Sequence, residues 1–313
     1  MPLPTDERLL QLSEALLAQF DTIFGLHPGF RPAHAKGTML VGSFAPTAAA
    51  KALSSAQHLN QLSTPLLARF SDSTGLPLIP DNDGNAKPLG FAVRFILGEH
   101  VHTDIVSHST DGFPTHTGAE FLEFLQAVAA SDPANLAGSP LEAFLGSHPA
   151  ALRFVQTPKP SPVSFAQESF FGVTAMQFSN AAGESRFGRY RIVPEAGNAY
   201  LDDAQVKAKD GDYLFAELGE RVAKAPVRFK LLVQLAGEGD VVDDATIHWP
   251  EERELVELGT LTLTGPAADD AQEQKTIIFD PIPRLEGIAP SDDPLLELRA
   301  AIYLMSGRRR RSA

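Results

Sequence analysis

The chain contains no cysteine. That absence excludes disulfide frameworks, thiolate nucleophiles, thiolate-ligated haem, iron–sulfur clusters and Cys-type zinc sites together. Any metal must be held by His, Tyr, Asp or Glu. Positive charge is also scarce: 26 Lys and Arg stand against 39 Asp and Glu, a formal charge of −13. This balance repels phosphate backbones and anionic lipid surfaces, so neither nucleic acid nor membrane partners are expected. No apolar run approaches the roughly 18 residues of a membrane span, and no basic start leads into an uninterrupted apolar stretch as in a secretory signal. A cytoplasmic location is the expectation. What is present is ordinary globular material: 313 residues, 43% hydrophobic and 21% charged, enough to bury roughly three-quarters of the unfolded surface.

Leu9, Leu10, Leu12, Leu16, Leu17 and Phe20 recur at helical spacing with acids between them, which predicts an amphipathic N-terminal helix. Short runs rich in Val, Ile, Thr and Phe, bounded by Gly, Pro, Asn and Asp, then read as strands. They are Thr38–Phe44, Leu66–Ser71, Gly90–Leu97, Thr103–His108, Ala175–Asn180, Ser185–Val193, Val227–Ala236 and Leu255–Thr264. Eight strands suit a barrel. Helical patterns interrupt the series at Thr117–Gln156 and Ala204–Ala223, and a terminal helix starts at Pro294 and runs to Arg311. No repeat or Gly/Ser linker divides the chain. The expectation is a single α+β domain over 1–313, an eight-stranded antiparallel β-barrel with appended helices. The run Arg308–Arg311 reads as a solvated helix end that complements the C-terminal dipole.

Several side chains stand out chemically. His34 lies in RPAHAKG between Arg31 and Lys36, a basic pocket in an acidic chain. Arg69 and Ser71 alternate onto one face of a strand, opposite Phe70. An inward Arg69 needs an anion, either a carboxylate of this chain or that of a ligand. His102 and Asp104, with His108 or another His, form a short pattern that can seed a non-haem iron site. Arg299, Tyr303 and Arg310 share a helix face, and a guanidinium near a phenol favours the phenolate, the form that ligates metal. Spacing alone leaves structural and functional readings of each open.

In order along the chain, RPAHAKGT, LLARFSDSTG, KPLGFAVRF, TDIVSHS, FGVTAMQFSNAAGESRFGRYRIVP, DATIHWPEE, LVELGTLTLT, FDPIPRLEGIAPSDDPLLELR and RAAIY resemble the haem-binding core of the monofunctional catalase superfamily. The likeness is greater to its small catalase-related peroxidases. The resemblance implies haem b as cofactor. His34 resembles the distal histidine and Ser71 the hydroxyl that fixes its tautomer. Arg31 and Arg69 match propionate-binding arginines, and Arg310 falls at the offset of a third. Tyr303 matches the proximal iron ligand, Arg299 the guanidinium that keeps it ionised, and Phe121 the aromatic wall of the distal pocket. Three departures matter. His108 stands where typical catalases carry an Asn, Ala33 where a bulky residue precedes the distal His, and Thr174 where many have a His. His108 implies altered handling of peroxide and Ala33 a wider approach for organic reductants, so the expected activity is a peroxidase acting on hydrogen peroxide or organic hydroperoxides with weak catalase turnover. A homodimer is expected. A hydroperoxide isomerase or dehydratase on the same fold, and a haem-binding protein without turnover, are the alternatives.

Overall fold

The computed structural model describes residues 3–313. Ten strands pair into one antiparallel sheet. They are β1 (Gly37–Pro46), β2 (Thr64–Ser71), β3 (Gly90–Gly98), β4 (Val101–His108), β5 (Phe170–Phe171), β6 (Met176–Ser179), β7 (Ser185–Pro194), β8 (Val227–Leu235), β9 (Leu255–Pro266) and β10 (Ile288–Pro290). The order is β10-β6-β7-β5-β4-β3-β2-β1-β9-β8, and the β7–β8 pairing closes the ring. Both β5 and β6 pair with β7, through Phe170↔Ile192 and Met176↔Gly188, so they are two pieces of one interrupted strand. Counted this way the ring has eight members, and β10 adds to the outer edge of β6.

The barrel is filled by one face of each strand, as two-residue alternation requires. Leu66, Ala68 and Phe70 of β2, Phe91, Val93 and Phe95 of β3, and Phe229, Leu231 and Val233 of β8 are all at most 2% exposed. Phe70 stacks on Phe91 with ring centroids 4.2 Å apart, and Phe165, Phe170 and Phe229 surround the pair. Burying each such ring is worth roughly 2–3 kcal/mol, so this interior fixes the strand register. The opposite faces of β2, β3 and β4 are thereby turned outward, carrying Arg69, Ser71 and His108.

A second apolar cluster gathers three helices, while the outward residues Leu67, Ala92 and Val106 are covered by Met39, Ala267, Ile277 and Phe279. The helix Glu7–Phe24 contributes Leu16 and Leu17, the helix Gly118–Ala129 contributes Leu125, and the helix Pro294–Arg311 contributes Leu295, Leu298 and Ile302. Their ends are well specified. Thr117 and Glu120 form a capping box, and the Asp293 carboxylate accepts from the Leu295 N–H at 2.9 Å ahead of Pro294. Gly118 lets two helices approach closely, since a Cβ there would collide with Leu298.

Three expectations need correction. The strand expected at Ala175–Asn180 is only half of its barrel member, because Gly172 to Ala175 leave the ladder and the short Phe170–Phe171 piece carries the rest. The helical stretch at Ala204–Ala223 is two helices, Asp203–Lys207 and Tyr213–Lys224, broken around Asp210 and Gly211. The Arg308–Arg311 run is not uniformly solvated: Arg308 and Arg311 are exposed, Arg309 forks onto Asp21 at 2.6 and 2.9 Å, and Arg310 is buried. Helical rotation explains this, since successive residues of a run point about 100° apart.

Candidate active site

His34 sits in the turn that leads into β1, with φ +56°, a left-handed conformation uncommon outside glycine. Its backbone is held there from two sides: its N–H donates to Ser73 O at 2.9 Å, and its carbonyl accepts from Arg69 Nη2 at 2.9 Å. The ring's Nδ1 is 3.1 Å from Ser71 Oγ. Ser71 faces Gly90 across the β2–β3 ladder, and Gly90 faces His108 across β3–β4. The glycine leaves the middle of this row bare. A Cβ at Gly90 would stand 2.5 Å from Ser71 Oγ and 2.8 Å from His34 Nδ1, so the imidazole occupies the space a side chain would fill.

Burial, reinforced by the charge of Arg69, lowers the His34 pKa to about 4. His108 is lowered to about 3, by burial first and then by the charge of His34. Both rings are therefore neutral at pH 7, and a neutral imidazole can accept a proton. The nearest donor to His108 Nδ1 is the Thr110 N–H at 3.4 Å.

Three arginines converge beside this row. Arg31 donates to the carbonyls of Gln274 and Ile277 at 3.0 and 3.2 Å, Arg69 Nε donates to Gln274 Oε1 at 3.0 Å, and Arg310 Nη2 donates to Ile277 O at 2.7 Å. Among the described residues none has a carboxylate within ion-pair distance. Burial holds Arg31 well below its ordinary pKa, with Arg69 and Arg310 adding like charge, and it brings Arg69 to about 9 and Arg310 to about 10. Arg310 Nε is buried without any partner. Gathering three guanidiniums out of water costs several kcal/mol per charge unless an anion compensates. The cluster therefore fits a ligand with acidic groups, such as the propionates of haem.

Across the site, Arg299 Nε donates to the Tyr303 phenolic oxygen at 3.1 Å, one turn along the terminal helix. Tyr303 is close enough to Arg31 to offset part of that residue's loss of basicity, and Arg299 depresses both His34 and His108. The two ends of the chain thus meet here. Phe121 packs at 4.9 Å from Phe113 and belongs with Phe171 and Tyr303 to the same apolar cluster.

The structure does not assemble the non-haem iron site. Arg94 grips Asp104 with two bonds of 2.8 and 2.7 Å, and the Asp280 N–H donates to the same carboxylate at 2.6 Å. His102 is 3.9 Å from Asp104, and among the described residues no group of three His, Asp or Glu side chains can hold a metal ion. Sequence reasoning missed Gly90 and Gln274. Gly90 is signalled only by register, and the Gln274 amide reaches Gly37 O at 2.9 Å across 237 residues, a contact with no local trace.

Two surface clefts, one beside Phe113 and Phe154 and one beside Phe24 and Phe30, are lined by neither His34 nor Tyr303. No helix among the described residues is long and apolar enough to cross a membrane. Comparison with known proteins gives this site its context. A family model described as Catalase matches residues 29–313. A catalase-related peroxidase of Mycolicibacterium paratuberculosis is 35% identical over 285 residues, 90% of this chain and 89% of that protein. One from Synechococcus elongatus is 33% identical over 298 residues, 94% and 87% of the respective chains. Among solved structures, a fungal catalase superposes with a TM-score of 0.79 at 23% identity, covering 99% of this chain and 64% of that one. Catalase A from Saccharomyces cerevisiae gives 0.79 at 22% identity, with 99% and 65% covered. This chain spans about two-thirds of the length of those solved catalases. With a barrel shared by the solved catalases, and a family match running from just before His34 to past Tyr303, the chain belongs to the catalase family.

Proposed function

We infer that the protein is a haem-dependent peroxidase that reduces hydrogen peroxide or organic hydroperoxides with an organic electron donor, and that its catalase turnover is weak. The catalase family is haem-dependent, and two relatives of similar length are named catalase-related peroxidases. The observation that carries the reading is the convergence of the half-buried Arg31 with the buried Arg69 and Arg310, without carboxylate partners, beside a neutral His34 and an Arg299–Tyr303 pair.

In this reading the three arginines would receive the haem propionates, and the Tyr303 oxygen would hold the iron. The bound haem supplies the two-electron redox chemistry that cleaves the peroxide O–O bond. Arg299 donates to the Tyr303 oxygen and holds that side chain in place. His34, neutral and held by Ser71, takes a proton from one peroxide oxygen and returns it to the other, which leaves as water. Ser71 fixes the ring orientation, since Nδ1 is engaged and Nε2 is left for substrate. His108 lines the same side as a second neutral imidazole where typical catalases carry Asn. Phe121 forms part of the apolar wall. The cofactor is haem b, the protein acts in the cytoplasm and it assembles as a homodimer.

The test is the absorption spectrum of the purified protein with a pyridine haemochrome assay, followed by peroxide consumption with and without a phenolic donor. An intense Soret band altered in Tyr303→Phe, and donor oxidation faster than peroxide disproportionation, are expected. A protein that stays colourless after haem is supplied would sink the reading.

A further inference from the structure

A surface cleft begins three residues beyond His108. It is a cavity of about 390 Å³ whose wall includes Phe113, Ala150, Arg153, Phe154, Ile247 and His248, within the range of roughly 300–1,000 Å³ usual for small-molecule sites. Phe113 of its wall packs on Phe121 at 4.9 Å, and Phe121 lies in one apolar cluster with Phe171 and Tyr303. The rim is cationic in a chain of formal charge −13. Arg153 is exposed, and Lys159 lies 4.7 Å over the Phe154 ring while donating to the Phe154 and Thr157 carbonyls. Among the described residues neither forms an ion pair. The acid in the lining, Asp111, is committed to Arg191 at 2.9 Å. Lys159 is near enough for its charge to depress His108, which ties the rim to the peroxide side of the site.

Aromatic walls suit a planar ring, and the unpaired Arg153, with the remaining N–H of the Lys159 ammonium beside it, suits a carboxylate. We propose that this cavity binds the organic reductant, and that the reductant is a phenol bearing a carboxylate, its ring beside Phe113 and Phe154 and its carboxylate at Arg153 and Lys159. The proposal rests on the peroxidase reading for its chemistry: each phenol gives up one electron and one proton, two phenols serve one peroxide, and the products are two phenoxyl radicals and two waters. The charged rim also explains why a wide approach need not be unselective.

The experiment is equilibrium dialysis of the haem-replete protein with 4-hydroxybenzoate and with its neutral methyl ester, at low and moderate salt. The acid should bind about tenfold more tightly than the ester, and Arg153→Gln combined with Lys159→Gln should remove that preference. Filling the cavity with Ala150→Phe should weaken both ligands. In turnover, the double variant should raise the KM for 4-hydroxybenzoate about tenfold relative to that for the methyl ester. Equal binding of acid and ester, or a preference that survives the double substitution, would overturn the proposal. The dialysis needs no turnover, so absent peroxidase activity with intact acid-selective binding would refute the function and leave the site standing.

Discussion

Gly90 and Ser71 face each other across β2 and β3, and the only thing missing between them is a methyl group for which there is no room. The His34 ring takes that space. Gly90→Ala should therefore displace either the Ser71 hydroxyl or the imidazole, and overpacking of this kind costs about 1–3 kcal/mol. We expect a lower Tm, retained haem and peroxide turnover reduced at least about tenfold. Thermal unfolding and stopped-flow peroxide consumption check this. Unchanged turnover would mean that the Ser71–His34 contact is dispensable.

The acid limb of activity should lie unusually low. His34 must be neutral to accept a proton, and burial, the larger cause, with the charge of Arg69 brings its pKa from 6.5 to about 4. Propionates on Arg69 would weaken the second cause and leave the first. The competent fraction is thus complete above about pH 5 and falls as pH drops through about 4. A pH–rate profile with a limb near 6.5 would show that His34 is not the titrating base.

The four arginines at the chain's end should separate cleanly. Arg310 is buried and bonded to Ser306 and Ile277 O, whereas Arg308 is exposed. Arg310→Gln should lower haem retention on gel filtration, and Arg308→Gln should not. Removing haem should also lower Tm, because a ligand that binds only the folded chain stabilises it by mass action. In the haem-free protein, Arg310→Met should be neutral or stabilising, since it relieves an uncompensated cluster of buried cations.

Glu168 offers a pH effect remote from catalysis. It is buried, accepts from the Tyr200 hydroxyl and the Ser169 N–H at 2.9 and 2.8 Å, and burial raises its pKa from 4.5 to about 7. As pH falls through about 7 the folded protein takes up this proton, whereas the unfolded chain does so only near 4.5, so acidification in that window favours folding. Glu168→Gln abolishes the term. The Tm difference, variant minus wild type, should be most positive near pH 8 and shrink towards pH 5. A constant difference across that range would contradict the assignment.

The barrel was largely legible because its inner face repeats every second residue: β2, β3, β8 and β9 follow the expected spans within a few residues. β5 was not, since two residues carry no periodicity and its pairing depends on β4 and β7. The site divides the same way. Arg299 and Tyr303 sit one turn apart on a helix, so their contact follows from spacing. The meeting of His34 with Ser71 does not, and only resemblance to a family pointed to it; the place of Gly90 between them had no signal but register. Which member of the basic run turns inward depends on the helix's rotation against its neighbours, a tertiary fact.

The Asp21–Arg309 fork joins residues 288 positions apart, and that separation has a kinetic meaning. A contact closing nearly the whole chain repays its loop entropy only after the intervening structure exists, so it forms after the folding barrier has been crossed. It then acts as a latch on unfolding: Asp21→Asn should raise the unfolding rate and leave the refolding rate nearly unchanged. The lifetime of the native state, more than the speed of reaching it, is what this pair of terminal helices governs.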